Sequence, residues 1–262
     1  MKENRYDNRM KSTCMNMSIV MPCYRGEHYI ENAIRLVGDE VGKFENQFEI
    51  ILVVDGFLDR TYEKASNMQE DCKYLKVVGY EKNQGKGYAV RYGTKYCGGK
   101  YIVFLDSDMD YHPGSIKTLL ACAVNYNANI VVGNRRDKDS IFVYPMIRKL
   151  ASIGFNNYVN LVFPDLKISD TQAGIKLIER SSAEKIFKIL EGITLADGFI
   201  YDICLLVLAR KLRMRIVESP CVFEMQSSTI GVGKKFVGTA FKMAKEVLEL
   251  KNVIKGKILS IQ

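Results

Sequence analysis

The chain has 262 residues, 47% hydrophobic and 26% charged, which suits one large domain, or one domain with a small appendage, around a sizeable core. Seven cysteines, an odd number with no Cys-x-x-Cys, argue against a disulfide framework or a zinc site and for a reducing compartment; two distant histidines, His28 and His112, exclude chemistry built on several His ligands. No segment reaches the roughly 18 uncharged apolar residues of a membrane span, and the net charge of +8 points to an anionic partner.

In chain order, residues 1–17 are polar and lack the apolar core of a signal peptide, so they read as a flexible tail before a body over 18–230. Short β-branched runs follow at 18–24, 49–55, 75–80, 101–106 and 129–134. Helical patterns separate them near 28–42, 60–70, 86–97 and 114–126. That alternation predicts an α/β fold, a mainly parallel Rossmann-like sheet with helices on both faces. In such sheets ligands bind beyond the carboxyl ends of the strands. The segments there, "PCYRGE", "DGFLDRT", "NQGKG", "DSDMD" and "GNRR", hold the unusual polar residues and are expected to converge.

The second half alternates less. A helix is expected near 144–163, a short strand at "IKLIE", helices at 181–190 and 198–211, and one strand over 215–224. Residues 231–262 carry seven lysines against two glutamates. An amphipathic helix at 236–258 puts Ala240, Met243, Val247, Leu250, Ile254 and Ile258 on one stripe beside a lysine-rich border. Such a helix lies on a membrane surface or packs on the domain, and periodicity alone does not separate the two.

Asp106, Asp108 and Asp110 alternate at the end of an apolar strand, which in an extended chain puts them on a common side. Carboxylates so close are tolerated around a hard cation, Mg²⁺ or Mn²⁺, that also grips phosphate oxygens. "NQGKG" (83–87) suits close approach of backbone to a phosphate, with Lys86 adding charge, but lacks the spacing of a Walker A loop. Asp55 is placed to accept from a base N–H, and Pro22 and Tyr24 to wall the ring. Arg135 and Arg148 are candidates for the phosphates. A high pI without a basic-aromatic motif gives no reason to expect nucleic acid.

Together these motifs resemble glycosyltransferase family 2, and within it the polyprenyl-phosphate sugar synthases, over nearly the whole chain from Ser18. The resemblance implies the glycosyltransferase-A fold. It implies a base contact by Pro22, Tyr24 and Asp55, a donor loop at Asn83 and Lys86, and a D-x-D at Asp106 and Asp108. The family's Gly-Ser-Arg appears as "GNR" at Arg135, and a second family arginine falls on Arg148. "DTQAGIKLI" marks Asp170, Gln172 and Gly174 near the sugar and favours the glucosyl branch. "DGFIYDICLL" gives Asp202.

The implied reaction is inverting hexosyl transfer from a nucleotide-sugar to a polyprenyl phosphate on the cytoplasmic face of a membrane, with a membrane-spanning partner as one means of attachment. UDP-glucose is the favoured donor and GDP-mannose the alternative. A polysaccharide acceptor is a further alternative, as is a non-enzymatic scaffold. The chain departs from the family at Val54 and Cys204, where acids are usual, and at Arg25-Gly26.

Overall fold

The structure is a computed structural model and describes residues 16–143, 146–225 and 234–259. Five β-branched runs form β1 (Met17–Cys23), β2 (Phe48–Asp55), β3 (Leu75–Tyr80), β4 (Tyr101–Leu105) and β5 (Ile130–Asn134). Their apolar residues are buried on both faces, Met17, Ile19, Val20 and Met21 of β1 completely so. A strand covered on both sides needs no polar alternation. The first helix, α1 (Ile30–Gly42), shows the covering principle: Ile30, Ala33, Ile34, Val37 and Val41 make its buried stripe at helical spacing. Helices α2 (Thr61–Asn67), α3 (Lys86–Thr94) and α4 (Ser115–Asn125) complete the alternation.

The main sheet has seven strands in the order β3-β2-β1-β4-β7-β5-β8. β7 (Ile175–Glu179) is the "IKLIE" segment, and it runs antiparallel between β4 and β5. Its reversed direction brings its entry, Ala173–Gly174, to the carboxyl edge of β4. There the Asp106 N–H donates to the Gly174 carbonyl at 3.1 Å. This one inversion sets the middle of the site.

The single strand expected over 215–224 is two. β8 (Ile216–Pro220) pairs with β5, whereas β9 (Val222–Glu224) pairs with β6 (Ile141–Val143) in a separate ribbon. Pro220 has no N–H to continue the ladder, and the next amide, that of Cys221, donates to Ser140 Oγ at 2.9 Å instead.

α5 (Met146–Val162), α6 (Arg180–Leu190), a 3-10 turn at Thr194–Asp197, α7 (Tyr201–Lys211) and α8 (Lys234–Leu259) follow. α7 is buried all round from Tyr201 to Ala209, so it is a core helix. The stripe of α8 packs on the domain: Val247 and Leu250 are fully buried, Ile254 nearly so, and Tyr158 Oη donates to the Ala244 carbonyl at 2.9 Å. The Ala240 and Ile258 side chains lie outside those described, as do residues 1–15 of the expected tail. The six described cysteines are free thiols.

Candidate active site

The five polar segments do converge. At the carboxyl edge of the sheet lies a cleft of ≈ 760 Å³ to which Pro22, Tyr24, Asp55, Asn83, Lys86, Asp106, Asp108, Arg135, Gln172 and Asp202 all contribute. Tyr24 is half exposed at its wall, with the Arg25 guanidinium 5.4 Å from its ring centre.

Asp55, at the last position of β2, is 4% exposed. It accepts from Asn83 Nδ2 at 2.8 Å, from the Gln84 N–H at 2.7 Å and from the Gly85 N–H at 3.1 Å. Gly85 has φ +101°, a conformation that glycine adopts without steric cost. The carboxylate expected to accept from a base thus holds the phosphate-type loop in place.

Lys86 opens α3 and reaches Asp106, with Nζ 2.7 Å from Oδ1 and 2.8 Å from Oδ2. Burial alone would lower the lysine pKa; the charges of Asp106 and Asp202 overcome it and hold the pKa up. The expected phosphate-binding lysine is therefore the counter-ion of the first aspartate.

The common side expected for the three aspartates does not form. β4 ends at Leu105, and Met109 adopts a left-handed φ of +60°, which breaks the alternation. Asp106 and Asp108 line the cleft. Asp110 does not: its N–H donates to Asp108 Oδ1 at 3.2 Å and its carbonyl accepts from the Glu224 N–H at 2.8 Å. Among the described residues no three His, Cys, Asp or Glu side chains gather to hold a metal.

Asp108 meets no cation within ion-pair distance among the described residues. Burial among its neighbours, then the charges of Asp106 and Asp110, push its carboxyl up to about 7. Solvent reaches it through the mouth of the cleft and softens the effect. An uncompensated carboxylate beside a second one fits a cation that completes its shell with phosphate oxygens rather than a closed protein cage.

Arg135 lines the cleft but is clamped by Asp170, through Nε–Oδ2 at 2.6 Å and Nη2–Oδ1 at 2.8 Å, with Tyr111, Phe142 and Phe223 rings around its guanidinium. Asp170 is 1% exposed; burial would raise its pKa, and the Arg135 bonds and charge more than reverse that. A depressed carboxyl contributes stability that is present above the ordinary carboxylate range and lost as pH falls through its folded value. Asp170→Asn is accordingly expected to flatten the acid limb of a stability profile measured by urea denaturation below about pH 4.

Asp202 pairs with Lys176, both nearly fully buried, and Lys176 also donates to the Ala173 carbonyl. Arg148 falls on α5, but its side chain is outside those described. Lys176, the buried partner of the cleft residue Asp202, has no role in the sequence reading. Its signal was a charge inside the apolar "IKLIE". Thr239 and Met243 of α8 and Phe155 of α5 also line the cleft, so the C-terminal helix forms part of its wall.

Gly174 matters by what it lacks. A Cβ there would stand 2.2 Å from Asp106 Oδ2 and 3.0 Å from Tyr111 Cε2. Gly174→Ala is expected to push the Asp106 carboxylate off Lys86 and cut turnover about tenfold or more. The thermal midpoint should move far less than turnover if carboxylate placement is what the glycine protects.

The glycosyl transferase family 2 profile matches residues 18–187. The chain belongs to glycosyl transferase family 2. Among curated relatives of this glycosyltransferase, a dolichyl-phosphate beta-glucosyltransferase of Saccharomyces cerevisiae is 27% identical over 255 residues, covering 88% of this chain and 73% of the relative. One of Drosophila melanogaster is 28% identical over 225 residues, covering 79% and 66%. Among solved structures, glucosyl-3-phosphoglycerate synthase of Mycobacterium tuberculosis with Mn²⁺, UDP-glucose and phosphoglyceric acid superposes with a TM-score of 0.64 at 17% identity, covering 90% of this chain and 79% of that one. The fold of this glycosyltransferase is glycosyltransferase-A: a mostly parallel central sheet between helices.

Proposed function

We propose that this glycosyltransferase moves glucose from UDP-glucose to a polyprenyl phosphate such as dolichyl phosphate, with inversion, at a membrane surface on its cytoplasmic side. The dolichyl-phosphate glucosyltransferases it resembles support the sugar and the acceptor. One observation of the site carries the chemistry. Among the described residues, the acidic side chains that line the cleft other than Asp108 are already committed: Asp106 to Lys86, Asp202 to Lys176 and Asp55 to its loop. A hydroxyl acceptor needs a general base. A phosphate monoester is largely ionised near neutral pH and attacks without one.

Asp108, with Asp106, would hold a divalent cation, Mg²⁺ or Mn²⁺. Bound there, the cation would supply Lewis-acid neutralisation of the departing diphosphate. The residues of the chain do the rest. Pro22 and Tyr24 wall the base, and the Asn83–Gly85 loop, fixed by Asp55, presents backbone near the phosphates. Lys86, paired to both oxygens of Asp106, keeps that carboxylate oriented. Arg135, oriented by Asp170, adds positive potential at the cleft wall. Gln172 stands where a sugar hydroxyl would be read. Direct attack from the opposite side inverts the anomeric carbon.

Among the described residues no helix is long and apolar enough to cross a membrane. Attachment at the surface would rest on the basic C-terminal helix or on a spanning partner. The test is transfer of label from UDP-glucose or GDP-mannose to polyprenyl phosphate, with polyprenol as the hydroxyl control, in Mn²⁺ or Mg²⁺ and then in EDTA. The expected result is metal-dependent transfer from UDP-glucose to the phosphate only. Equal transfer to polyprenol would overturn the base-free mechanism, and transfer from GDP-mannose alone would replace the donor.

A further inference from the structure

A second cavity of ≈ 440 Å³ lies at the far ends of the helices that wall the cleft. It is enclosed by the carboxyl ends of α5 and α7, the 163–166 link and the second half of α8. Counting 1.5 Å per residue from Phe155, Asp202 and Met243 at the cleft to Val162, Arg210 and Lys255 here puts it roughly 10–18 Å away along the three helices. It is not part of the donor site.

Its floor is apolar: Val162, Leu166, Val207 and Ile254 are all buried. Its rim is cationic. Arg210, Lys211, Lys251 and Lys255 face one carboxylate, Asp165, which lies 3.7 Å from Lys211 Nζ. Among the described residues Arg210, Lys251 and Lys255 meet no carboxylate within ion-pair distance. Lys251 and Lys255 stand one helical turn apart, with Ile254 directed into the floor between them. An apolar slot under an unbalanced positive rim matches an amphiphile with one anionic head and an alkyl chain.

The outer face of α8 indicates where that amphiphile comes from. Phe241 is 77% exposed and Leu248 53%, on the same helix as the exposed Lys242, Lys245, Lys251 and Lys255. Exposed apolar residues among lysines are what a helix at a lipid headgroup boundary presents. We infer that this pocket seats the acyl chain and phosphate of an anionic bilayer phospholipid, so that the protein is attached by a lipid held in a defined site. The inference rests on the surface attachment proposed above, but not on the identity of donor or acceptor.

Titration calorimetry with monomeric octyl and decyl phosphate reads the pocket. Co-sedimentation with phosphatidylcholine vesicles, with and without phosphatidylglycerol, reads the source. The full chain should bind decyl phosphate more tightly than octyl phosphate, roughly fourfold per methylene. Lys251→Glu/Lys255→Glu should lose decyl phosphate binding, and about tenfold or more of its affinity for phosphatidylglycerol vesicles. Lys242→Glu/Lys245→Glu, the same charge change on the same helix, should keep decyl phosphate binding. Vesicle binding without any decyl phosphate binding, weakened equally in the two pairs, would overturn the seated lipid in favour of diffuse attraction. Decyl phosphate binding without vesicle binding would overturn the bilayer as its source. Transfer of label to a water-soluble short-chain polyprenyl phosphate should persist in Lys251→Glu/Lys255→Glu. Loss of transfer in the wild type would fault the catalytic reading and leave the lipid arms intact.

Discussion

Lys176→Met is expected to cost about 3–5 kcal/mol of stability, because it leaves the Asp202 carboxylate buried without its cation. Both partners are nearly inaccessible to water, Lys176 1% and Asp202 3% exposed. The loss should appear as a drop in the urea midpoint with an unchanged slope. The double variant Lys176→Met/Asp202→Leu should regain most of it, since a buried ion pair replaced by apolar residues of similar size is often neutral. Activity is not expected to return with the stability, because Asp202 faces the cleft and its carboxylate would be gone. A single variant that lost under about 1 kcal/mol would overturn the part assigned to this ion pair in stability.

Asp108→Asn should behave in the opposite way. Turnover is expected to fall by about 10²–10³, the usual scale for removing a group that stabilises departing charge. The thermal midpoint should hold or rise, because among the described residues this carboxylate meets no cation within ion-pair distance and faces the charges of Asp106 and Asp110. A carboxyl raised to about 7 contributes stability that is complete below the ordinary carboxylate range and is lost as pH rises towards 7. Metal-free wild type should show that slope between about pH 4 and 7, and Asp108→Asn should lack it. Asp106→Asn differs by leaving the Lys86 ammonium unpaired, so it should lose stability as well as turnover. Two members of one short motif would then separate under one pair of measurements, kcat and thermal denaturation.

The first half of the fold was legible because its strands are buried on both faces. Runs such as "EIILVVD" admit few other readings, and β2 and β3 fall within a residue of the expected bounds. The convergence of five loop segments followed from the parallel order alone. Three things were not legible. The direction of β7 is set by which neighbours it pairs with, and five apolar residues say nothing about that. The break at Cys221 depends on Ser140, which lies 81 positions away. The ion pairs are the third. Arg135 and Asp170 are 35 residues apart and Lys176 and Asp202 are 26 apart, so composition supplies the types but not the partners. Expectation therefore put Asp55, Lys86 and Arg135 on the ligand, whereas the fold first uses each to hold another part of the site. Asp110 lies off the cleft lining for a local reason, the left-handed Met109.

The inverted strand also fixes when the molecule can be finished. The run β3-β2-β1-β4 is complete once residue 105 has emerged, but the open edge of β4 waits for a partner that ends at residue 179. At the usual rate of synthesis that interval is about 4–15 s. During it, a half-built sheet shows an unpaired, apolar edge to its surroundings. A nascent chain stalled before Ile175 is therefore the form most exposed to edge-to-edge association. The strand that closes the sheet also carries Gly174 and Lys176 into place, so ribosome-bound chains short of it should bind a holding chaperone and no nucleotide.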